Sequence, residues 1–203
     1  MTIGVLDYGA GNLTSVVKGL THVGAHARVL AIHPFMHPSV HALVIPGVGN
    51  FHATAAIGPE WRAAIRDRID AGMPVLGICL GLQWLFEGSA EAPDLPGLGV
   101  FAGRCFRLHG DVKVPHVGWN TLERTAQPSR LLAGVPAGAS AYFTHAYAAP
   151  LDAAAVATTS HGQTFTSCIE RGSVFGTQCH PEKSHDVGLR LLANFAAMAG
   201  TEG

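Results

Sequence analysis

The first half of the chain alternates short apolar runs with stretches of helical periodicity. The run "IGVLDY" precedes "LTSVVKGLTHVG", "ALVIPGV" precedes "PEWRAAIRDRIDAG", and "PVLGIC" precedes "LGLQWLFEG". Strands that are apolar throughout are buried on both faces, and strands that alternate with helices usually form a parallel sheet. This half therefore predicts a parallel sheet with helices on both of its faces.

Strand signals in the second half lie close together, with turn residues between them. They are found in "GVFAGRCFRLHG", "KVPHVGWNTLER", "ASAYFTHAYAAP", "AAVATTSHG", "QTFTSCIERG" and "SVFGTQCHPE". Such spacing is typical of antiparallel hairpins, and "DVGLRLLANFAAMAG" then has the apolar spacing of a closing amphipathic helix. We predict an α/β sandwich with a mixed, mostly parallel sheet. No linker, repeat or low-complexity tract divides residues 1–203, so a single domain is expected.

The charge and hydropathy of the chain argue against several classes of partner. Of its 203 residues 48% are hydrophobic and 13% are charged, and the formal net charge is -1. This balance provides no basic surface for nucleic acid or for an anionic membrane. The apolar runs are well short of the ~20 residues that span a bilayer, and the start "MTIGVLDYGAGN" lacks the basic segment of a signal peptide. We therefore expect a soluble, cytoplasmic protein.

The cysteine and histidine spacings give little support to a disulfide framework or a metal site. The four cysteines form no C-x-x-C pair and are Cys79, Cys105, Cys168 and Cys179. Adjacent Cys179 and His180 do not have the paired spacing of structural zinc ligands. Three histidines stand four residues apart, at His33, His37 and His41. Because Pro34 and Pro38 interrupt any helix there, we interpret this segment as a solvated loop, and we predict no metal and no cofactor.

The stretch "GTQCHPEK" contains a candidate base and its orienting carboxylate. If the strand "SVFGTQC" stays extended past Pro181, Cys179 faces away from His180, whereas His180 and Glu182 lie on one side. A carboxylate in that position accepts an imidazole N–H and stabilises the imidazolium, as in a catalytic triad. Cys179 is then more plausibly a buried core thiol than a nucleophile.

The nucleophile is better sought in "PVLGICLGLQWLF". An apolar strand runs into a G-x-C-x-G motif at Gly77, Cys79 and Gly81, and a helical pattern follows at once. This order matches a nucleophile elbow with Cys in place of Ser, in which the next backbone N–H binds an oxyanion. The motif alone leaves a structural cysteine in a buried turn equally open. The order of strand, elbow and helix, with a His-x-Glu pair downstream, favours the nucleophile.

Together, "GICLGLQ" and "QCHPEK" resemble the class I glutamine amidotransferases, whose Cys-His-Glu triad hydrolyses glutamine and passes ammonia to a synthase. Within that group, "DYGAGNLTSV", "IPGVGNF", "FEGSAEAP", "KVPHVGWN", "YFTHAY" and "HPEKS" resemble the glutaminase subunits of imidazole glycerol phosphate synthases, which act in histidine biosynthesis. The likeness covers nearly the whole chain. It implies a flavodoxin-like three-layer sandwich.

The resemblance also assigns roles to individual residues. It implies Cys79 as nucleophile, His180 as general base and Glu182 as its orienter. Oxyanion donors are expected from Leu80, Val48 and Gly49. The positions that match contacts to the substrate glutamine are Gly47, Gly49, Gln83, Glu91, Ala146 and Tyr147. Those that match the face toward a partner are Asn12, Trp119, Tyr142 and Lys183.

The implied reaction releases glutamate and ammonia. The ammonia passes to a cyclase subunit of (βα)8 type in a heterodimer, for synthesis of imidazole glycerol phosphate and AICAR, and no cofactor is implied. A stand-alone cysteine hydrolase of γ-glutamyl amides with the same triad is the alternative. From local pattern alone, Asn12 is equally a helix cap, and Trp119 is equally a core aromatic. The chain departs from the family at Cys179, often aromatic there, and at Ala146, often a hydroxyl residue.

Overall fold

The computed structural model describes residues 1–31 and 39–200. The strands are β1 (Thr2–Asp7), β2 (His26–Ala31), β3 (Val40–Ile45), β4 (Val75–Ile78), β5 (Gly88–Ser89), β6 (Ala92–Pro96), β7 (Arg104–Arg107), β8 (His116–Thr121), β9 (Glu123–Arg124), β10 (Ser140–His145), β11 (Tyr147–Ala148), β12 (Ala155–His161), β13 (Gln163–Arg171) and β14 (Val174–Thr177). The α-helices are α1 (Leu13–His22), α2 (Pro59–Asp70), α3 (Leu80–Leu85) and α4 (His185–Met198), and 3-10 helices span Phe51–Ala56 and Pro181–Lys183. In that part of the chain, no helix is long and apolar enough to cross a membrane.

A mixed sheet organises the described residues. Its strand order is β2-β1-β3-β4-β14-β13-β12-β9. The first five strands are parallel, in the 2-1-3-4-5 order of flavodoxin-like folds, and the last three continue the sheet antiparallel. Strands β8 and β10 form a separate antiparallel pair, and β11-β7-β5-β6 a small four-stranded sheet. The predicted change from parallel strands to hairpins is confirmed.

The two faces of the parallel sheet bury different helices, as the apolar strands predicted. On β3, Val44 packs in the cluster that holds Leu20 of α1 and Phe195 of α4. Its neighbour Leu43 points to the opposite face, into the cluster that holds Trp61 of α2. Alternate side chains of one strand therefore enter two cores, because successive residues of a strand point to opposite faces. The result is the predicted three-layer sandwich.

Three local features differ from the sequence-based expectations. Strand β2 was not predicted, because this edge strand is only partly buried and its apolar run is short. His41 lies exposed on β3 rather than in a loop, while His33 and His37 fall outside the described residues. The extended run expected through residue 182 is wrong: β14 ends at Thr177 and a 3-10 helix begins at Pro181, since the fixed φ of proline suits a first helical position.

The parallel strands place four chain segments along one edge of the sheet. Strands β1, β3, β4 and β14 follow one another in the sheet and run parallel, so their carboxyl ends lie side by side. The segments that follow these ends contain Tyr8, the "PGVG" loop, Cys79 and His180. Open α/β sheets bind their ligands at this edge. The fold thus gathers residues that are far apart in sequence.

Candidate active site

Cys79 occupies a strained turn between β4 and α3. Its backbone has φ 53° and ψ -104°, a conformation that is uncommon for a non-glycine residue and typical of functional turns. The flanking glycines are required for close packing. A Cβ on Gly77 would lie 2.7 Å from the carbonyl carbon of Gly81, and a Cβ on Gly81 would overlap the backbone oxygen of Ile45. The elbow is tied to β14 because the Cys79 N–H donates to Thr177 O at 2.7 Å.

His180 and Glu182 form a buried pair. His180 Nδ1 lies 2.8 Å from Glu182 Oε1, and each side chain is 1% exposed. His180 itself remains extended, at φ -99° and ψ 96°, and the 3-10 turn begins after it. Its N–H donates to Tyr142 O at 2.9 Å, which fixes the residue to β10. The predicted contact therefore exists, although the backbone reaches it through a turn.

The electrostatic surroundings of His180 favour its charged form. Burial lowers the pKa of His180, but the charge of the nearby Cys79 sulfur and the contact with Glu182 outweigh burial and raise the pKa to about 10. Within the described residues, His180 Nε2 has no formed hydrogen bond. The Cys79 sulfur is close enough for its charge to affect the imidazole of His180. The two groups do not form a hydrogen bond, which is common for catalytic pairs in ligand-free sites.

Cys179 is a buried thiol, as predicted. Its side chain is fully buried in the core on the α1 and α4 face. The contact with the Cys168 thiol, together with burial, raises the pKa of Cys179 well above its usual value. A neutral buried thiol is a poor nucleophile. The geometry therefore distinguishes the two cysteines, and only Cys79 stands at the elbow.

The predicted oxyanion residues belong to two segments in contact. The Leu80 N–H donates to Gly47 O at 3.4 Å, so this predicted donor is engaged by the loop that contains Val48 and Gly49. Val48 follows, and Gly49 has φ 96°. On the preceding side of the loop, the Tyr8 hydroxyl donates to Pro46 O at 2.7 Å.

Of the residues predicted to bind substrate, Gln83 and Tyr147 meet next to the elbow. The buried Gln83 amide donates to Tyr147 O at 2.7 Å. Glu91 is partly exposed, and its Oε2 accepts the Phe51 N–H at 2.8 Å. The Ala146 carbonyl accepts the backbone N–H of residue 108 at 2.9 Å. The Gln83 amide and the Glu91 carboxylate are thus partly used by the protein itself.

Three of the four residues predicted to face a partner form one surface cluster. Trp119 is 49% exposed, pairs with Tyr142 across β8 and β10, and has its ring 6.1 Å from the Tyr142 ring. Lys183 Nζ lies 5.8 Å from the same tyrosine ring. His185, which the sequence did not single out, stacks on Trp119 with centroids 5.1 Å apart. Asn12 caps α1, accepting the N–H three residues on at 3.3 Å, and its role toward a partner stays a prediction.

Sequence reasoning missed two further residues at the site. Gln178 Nε2 lies 3.5 Å from Cys79 Sγ, and the alternation that paired 180 with 182 also places 178 on the side of 180. Tyr8, which contacts the "PGVG" loop, had no such local signal, because only the sheet brings β1 next to β3.

Comparison with known proteins agrees with this architecture. The family model of class-I glutamine amidotransferases matches residues 4–199. The imidazole glycerol phosphate synthase subunit HisH of Synechococcus sp. (strain JA-3-3Ab) is 45% identical over 203 residues, covering 95% of this chain and 92% of that protein. HisH of Deinococcus radiodurans is 44% identical over 197 residues, covering 94% and 91%. A crystal structure described as a glutamine amidotransferase superposes with a TM-score of 0.76 at 22% identity, covering 98% of this chain and 99% of that one. The chain therefore belongs to the class I glutamine amidotransferase family and, within it, to the HisH subunits of imidazole glycerol phosphate synthase.

Proposed function

We propose that this chain hydrolyses glutamine to glutamate and ammonia in histidine biosynthesis, with Cys79 as nucleophile, His180 as general base and Glu182 as its orienter. The ammonia passes to a cyclase subunit of (βα)8 type in a cytoplasmic heterodimer, which forms imidazole glycerol phosphate and AICAR. The chain acts as one glutamine amidotransferase domain and uses no cofactor or metal in this chemistry.

One observation carries the proposal: the buried 2.8 Å contact between His180 and Glu182 beside a cysteine at a strained elbow. Because the carboxylate accepts at Nδ1, the other ring nitrogen is left for proton transfer. The raised pKa of His180, about 10, supports a protonated imidazole beside Cys79. In the proposed mechanism Cys79 reacts as the thiolate paired with that imidazolium, which is the reactive form of a cysteine nucleophile.

In the first half-reaction the Cys79 thiolate attacks the side-chain carbonyl carbon of glutamine. The carbonyl oxygen becomes an oxyanion, and His180 then donates its Nε2 proton to the leaving amide nitrogen. The C–N bond breaks, ammonia leaves, and a thioester joins the glutamyl group to Cys79. Glu182 stabilises the imidazolium before this proton transfer, which is the role of the third triad member.

In the second half-reaction the now neutral His180 removes a proton from water, which attacks the thioester carbonyl. A second oxyanion forms and collapses, and the C–S bond breaks to release glutamate and the thiolate. Both oxyanions need donors, and removing one such donor typically costs about 2.7–4 kcal/mol of transition-state stabilisation. Leu80 N–H and Val48 N–H are the donors in this proposal.

The resting loop geometry supports control by a partner. Leu80 N–H is engaged by Gly47 O at 3.4 Å, so turning the Gly47–Val48 peptide over would free Leu80 and point the Val48 N–H inward. The Trp119 cluster is the proposed docking face. Tyr142 connects this cluster to the proposed base, because its carbonyl accepts the backbone N–H of His180 at 2.9 Å. Docking of the cyclase there shifts the loop toward the donating orientation.

Glutamate release by purified protein tests the proposal. Cys79→Ser should abolish hydrolysis, whereas the matched Cys179→Val should keep most of it, since only Cys79 stands at the elbow. Adding the cyclase subunit and its ligand should raise the wild-type rate strongly. Full activity of Cys79→Ser would refute the assigned nucleophile. Equal wild-type rates with and without the cyclase would favour the stand-alone hydrolase.

A further inference from the structure

Gln178 stands against the reacting sulfur. Its Nε2 lies 3.5 Å from Cys79 Sγ, within the range for a hydrogen bond to sulfur. The side chain is fully buried, and its backbone N–H is fixed to Ser167 O at 2.8 Å. The proposed triad uses none of these contacts. A buried amide that points at a nucleophile therefore calls for a chemical role.

The hydrogen-bond partners determine which end of the Gln178 amide faces the sulfur. Gln83 Nε2 donates both to Tyr147 O, at 2.7 Å, and to Gln178 Oε1, at 3.2 Å. An amide nitrogen has two hydrogens and no free acceptor, so Gln178 must present its oxygen to Gln83 and its N–H to Cys79. Turning the Gln178 amide over would set two N–H groups against each other.

A longer chain of contacts ends at the Tyr147 carbonyl, the other acceptor of the Gln83 amide. His145 Nδ1 lies 2.9 Å from Tyr147 O and must carry a hydrogen there. Its Nε2 is then an acceptor for His116 Nδ1 at 3.2 Å, and His116 Nε2 accepts from the Asn120 amide at 3.2 Å. The Asn120 amide also donates to Ser160 O at 3.0 Å, which fixes its own orientation. Each donor in this chain meets one acceptor, from Asn120 to Tyr147.

We propose that Gln178 is a further catalytic residue, whose amide N–H donates to the Cys79 sulfur and stabilises it as a thiolate. The inference rests on the proposed function, in which Cys79 is the nucleophile. Gln83 is a positioning residue, since its amide holds Gln178 with the N–H toward the sulfur. No bond of Gln178 forms or breaks.

The donor acts in both half-reactions, because thiolate sulfur is a better hydrogen-bond acceptor than thiol or thioester sulfur. Before attack it raises the thiolate fraction, although a stabilised thiolate is intrinsically somewhat less nucleophilic. When the thioester is cleaved the thiolate is the leaving group, and there a donor to sulfur accelerates the step without that opposing effect. Hydrolysis of the thioester should therefore depend on Gln178 at least as strongly as its formation.

Two variants separate the donor from the volume it fills. Gln178→Met keeps the size and removes the N–H. Gln178→Glu keeps an oxygen for Gln83 and places a carboxylate at the sulfur. We expect Cys79 alkylation by iodoacetamide at pH 7, followed by peptide mass spectrometry, to slow about tenfold in the Met variant, because the thiolate loses a hydrogen bond to a charged acceptor. The Glu variant should be slower still, and kcat should fall in parallel with little change in KM.

The matched control is Gln163→Glu, in which Cys79 should alkylate at the wild-type rate. Gln163 Oε1 accepts the His109 N–H, far from the site. Wild-type alkylation in both folded Gln178 variants, or a change in KM alone, would overturn the inference. If neither variant folds, the chemical shift of the Gln178 side-chain amide proton in the wild-type protein, measured by NMR, still tests the inference. This resonance should move when Cys79 is changed to Ala, and an unchanged resonance would also overturn the inference. Retained hydrolysis in Cys79→Ser would instead refute the proposed nucleophile.

Discussion

Replacing Glu182 by Gln tests the base and its orienter without changing the shape of the site. Glu182 Oε1 lies 2.8 Å from His180 Nδ1, and both side chains are 1% exposed. Among the described residues, Glu182 Oε2 has no hydrogen-bond partner, so an amide nitrogen at that position would displace no existing contact. The substitution therefore removes a charge and leaves the packing intact.

The size of the effect follows from burial of the pair. Exchanging a charge-assisted hydrogen bond for a neutral one costs about 1.4 kcal/mol, which is about tenfold in rate. Removing a unit charge about 4 Å from the imidazolium costs up to about 4 kcal/mol at an effective permittivity of about 20. This corresponds to a decrease in rate of roughly a thousandfold. We expect kcat to fall between these limits. The pKa of His180, now about 10, should fall as well, since Glu182 contributes to raising it.

A second effect adds to the loss. With Oε2 unpartnered, nothing prevents the new amide from turning its NH2 toward Nδ1. His180 would then carry its hydrogen on Nε2, the wrong tautomer for a base, and the comparable substitution in a serine triad costs about 10⁴ in kcat. A value beyond a thousandfold would indicate this turned amide.

Steady-state glutamate release, measured with the cyclase present, gives kcat and KM for the variant. Glu60→Gln, on the exposed first turn of α2, is the matched control and should leave both unchanged. Thermal unfolding confirms that the variant is folded. A kcat within threefold of wild type in a folded Glu182→Gln protein would refute the reasoning, because the His-x-Glu pair would then be structural only.

Three further outcomes are expected. Trp119→Ala should weaken activation by the cyclase while the basal rate of the isolated chain stays nearly unchanged, measured as the ratio of the two rates, because this half-exposed ring lies outside the catalytic groups. Gly81→Ala should lower the free energy of unfolding by about 3 kcal/mol in urea titration, because its Cβ would overlap a strand carbonyl, whereas Gly58→Ala, with open space around its Cβ, should cost less than about 1 kcal/mol. Burial lowers the pKa of His116 to about 4 and of His145 to about 3, so the unfolded chain binds more protons between pH 6.5 and 4. The stability that these two histidines contribute should be full above pH 6.5 and fall as the pH drops through this window, with a shallower decline in His145→Gln. The raised pKa of His180, about 10, acts in the opposite direction, since its contribution is lost as the pH rises from 6.5 toward 10.

The parallel half of the fold was predictable because its strands are buried on both faces. Leu43 and Val44 enter different cores, so both must be apolar, and the sequence shows a continuous apolar run. Strand β2 escaped prediction for the opposite reason. It lies at the sheet edge, its residues alternate between exposed and partly buried, and its composition is not distinguishable from that of a loop.

The part of the site that could be predicted is the part whose residues lie in short sequence motifs. Cys79 and the His180–Glu182 pair each lie within a few residues of their context, so spacing and turn chemistry were sufficient to propose them. Gln178 is equally local, but its importance depends on which atom faces the sulfur. That orientation is decided by Gln83, 95 residues away along the chain. No pattern in one segment encodes such a contact.

At the oxyanion loop, sequence constrains the residue types without deciding the geometry. A glycine at 47 follows from packing, since a Cβ there would lie 2.6 Å from Leu80 Cβ and would overlap the Tyr8 hydroxyl. The same glycine lets the Gly47–Val48 peptide adopt either orientation, and the Leu80 N–H holds the resting one by a single 3.4 Å contact. Breaking that contact costs about 1 kcal/mol, whereas each oxyanion donor gained is worth about 2.7–4 kcal/mol in the transition state. In the proposed gating, a partner that favours the donating orientation by more than this contact is therefore sufficient to hold the loop in that orientation.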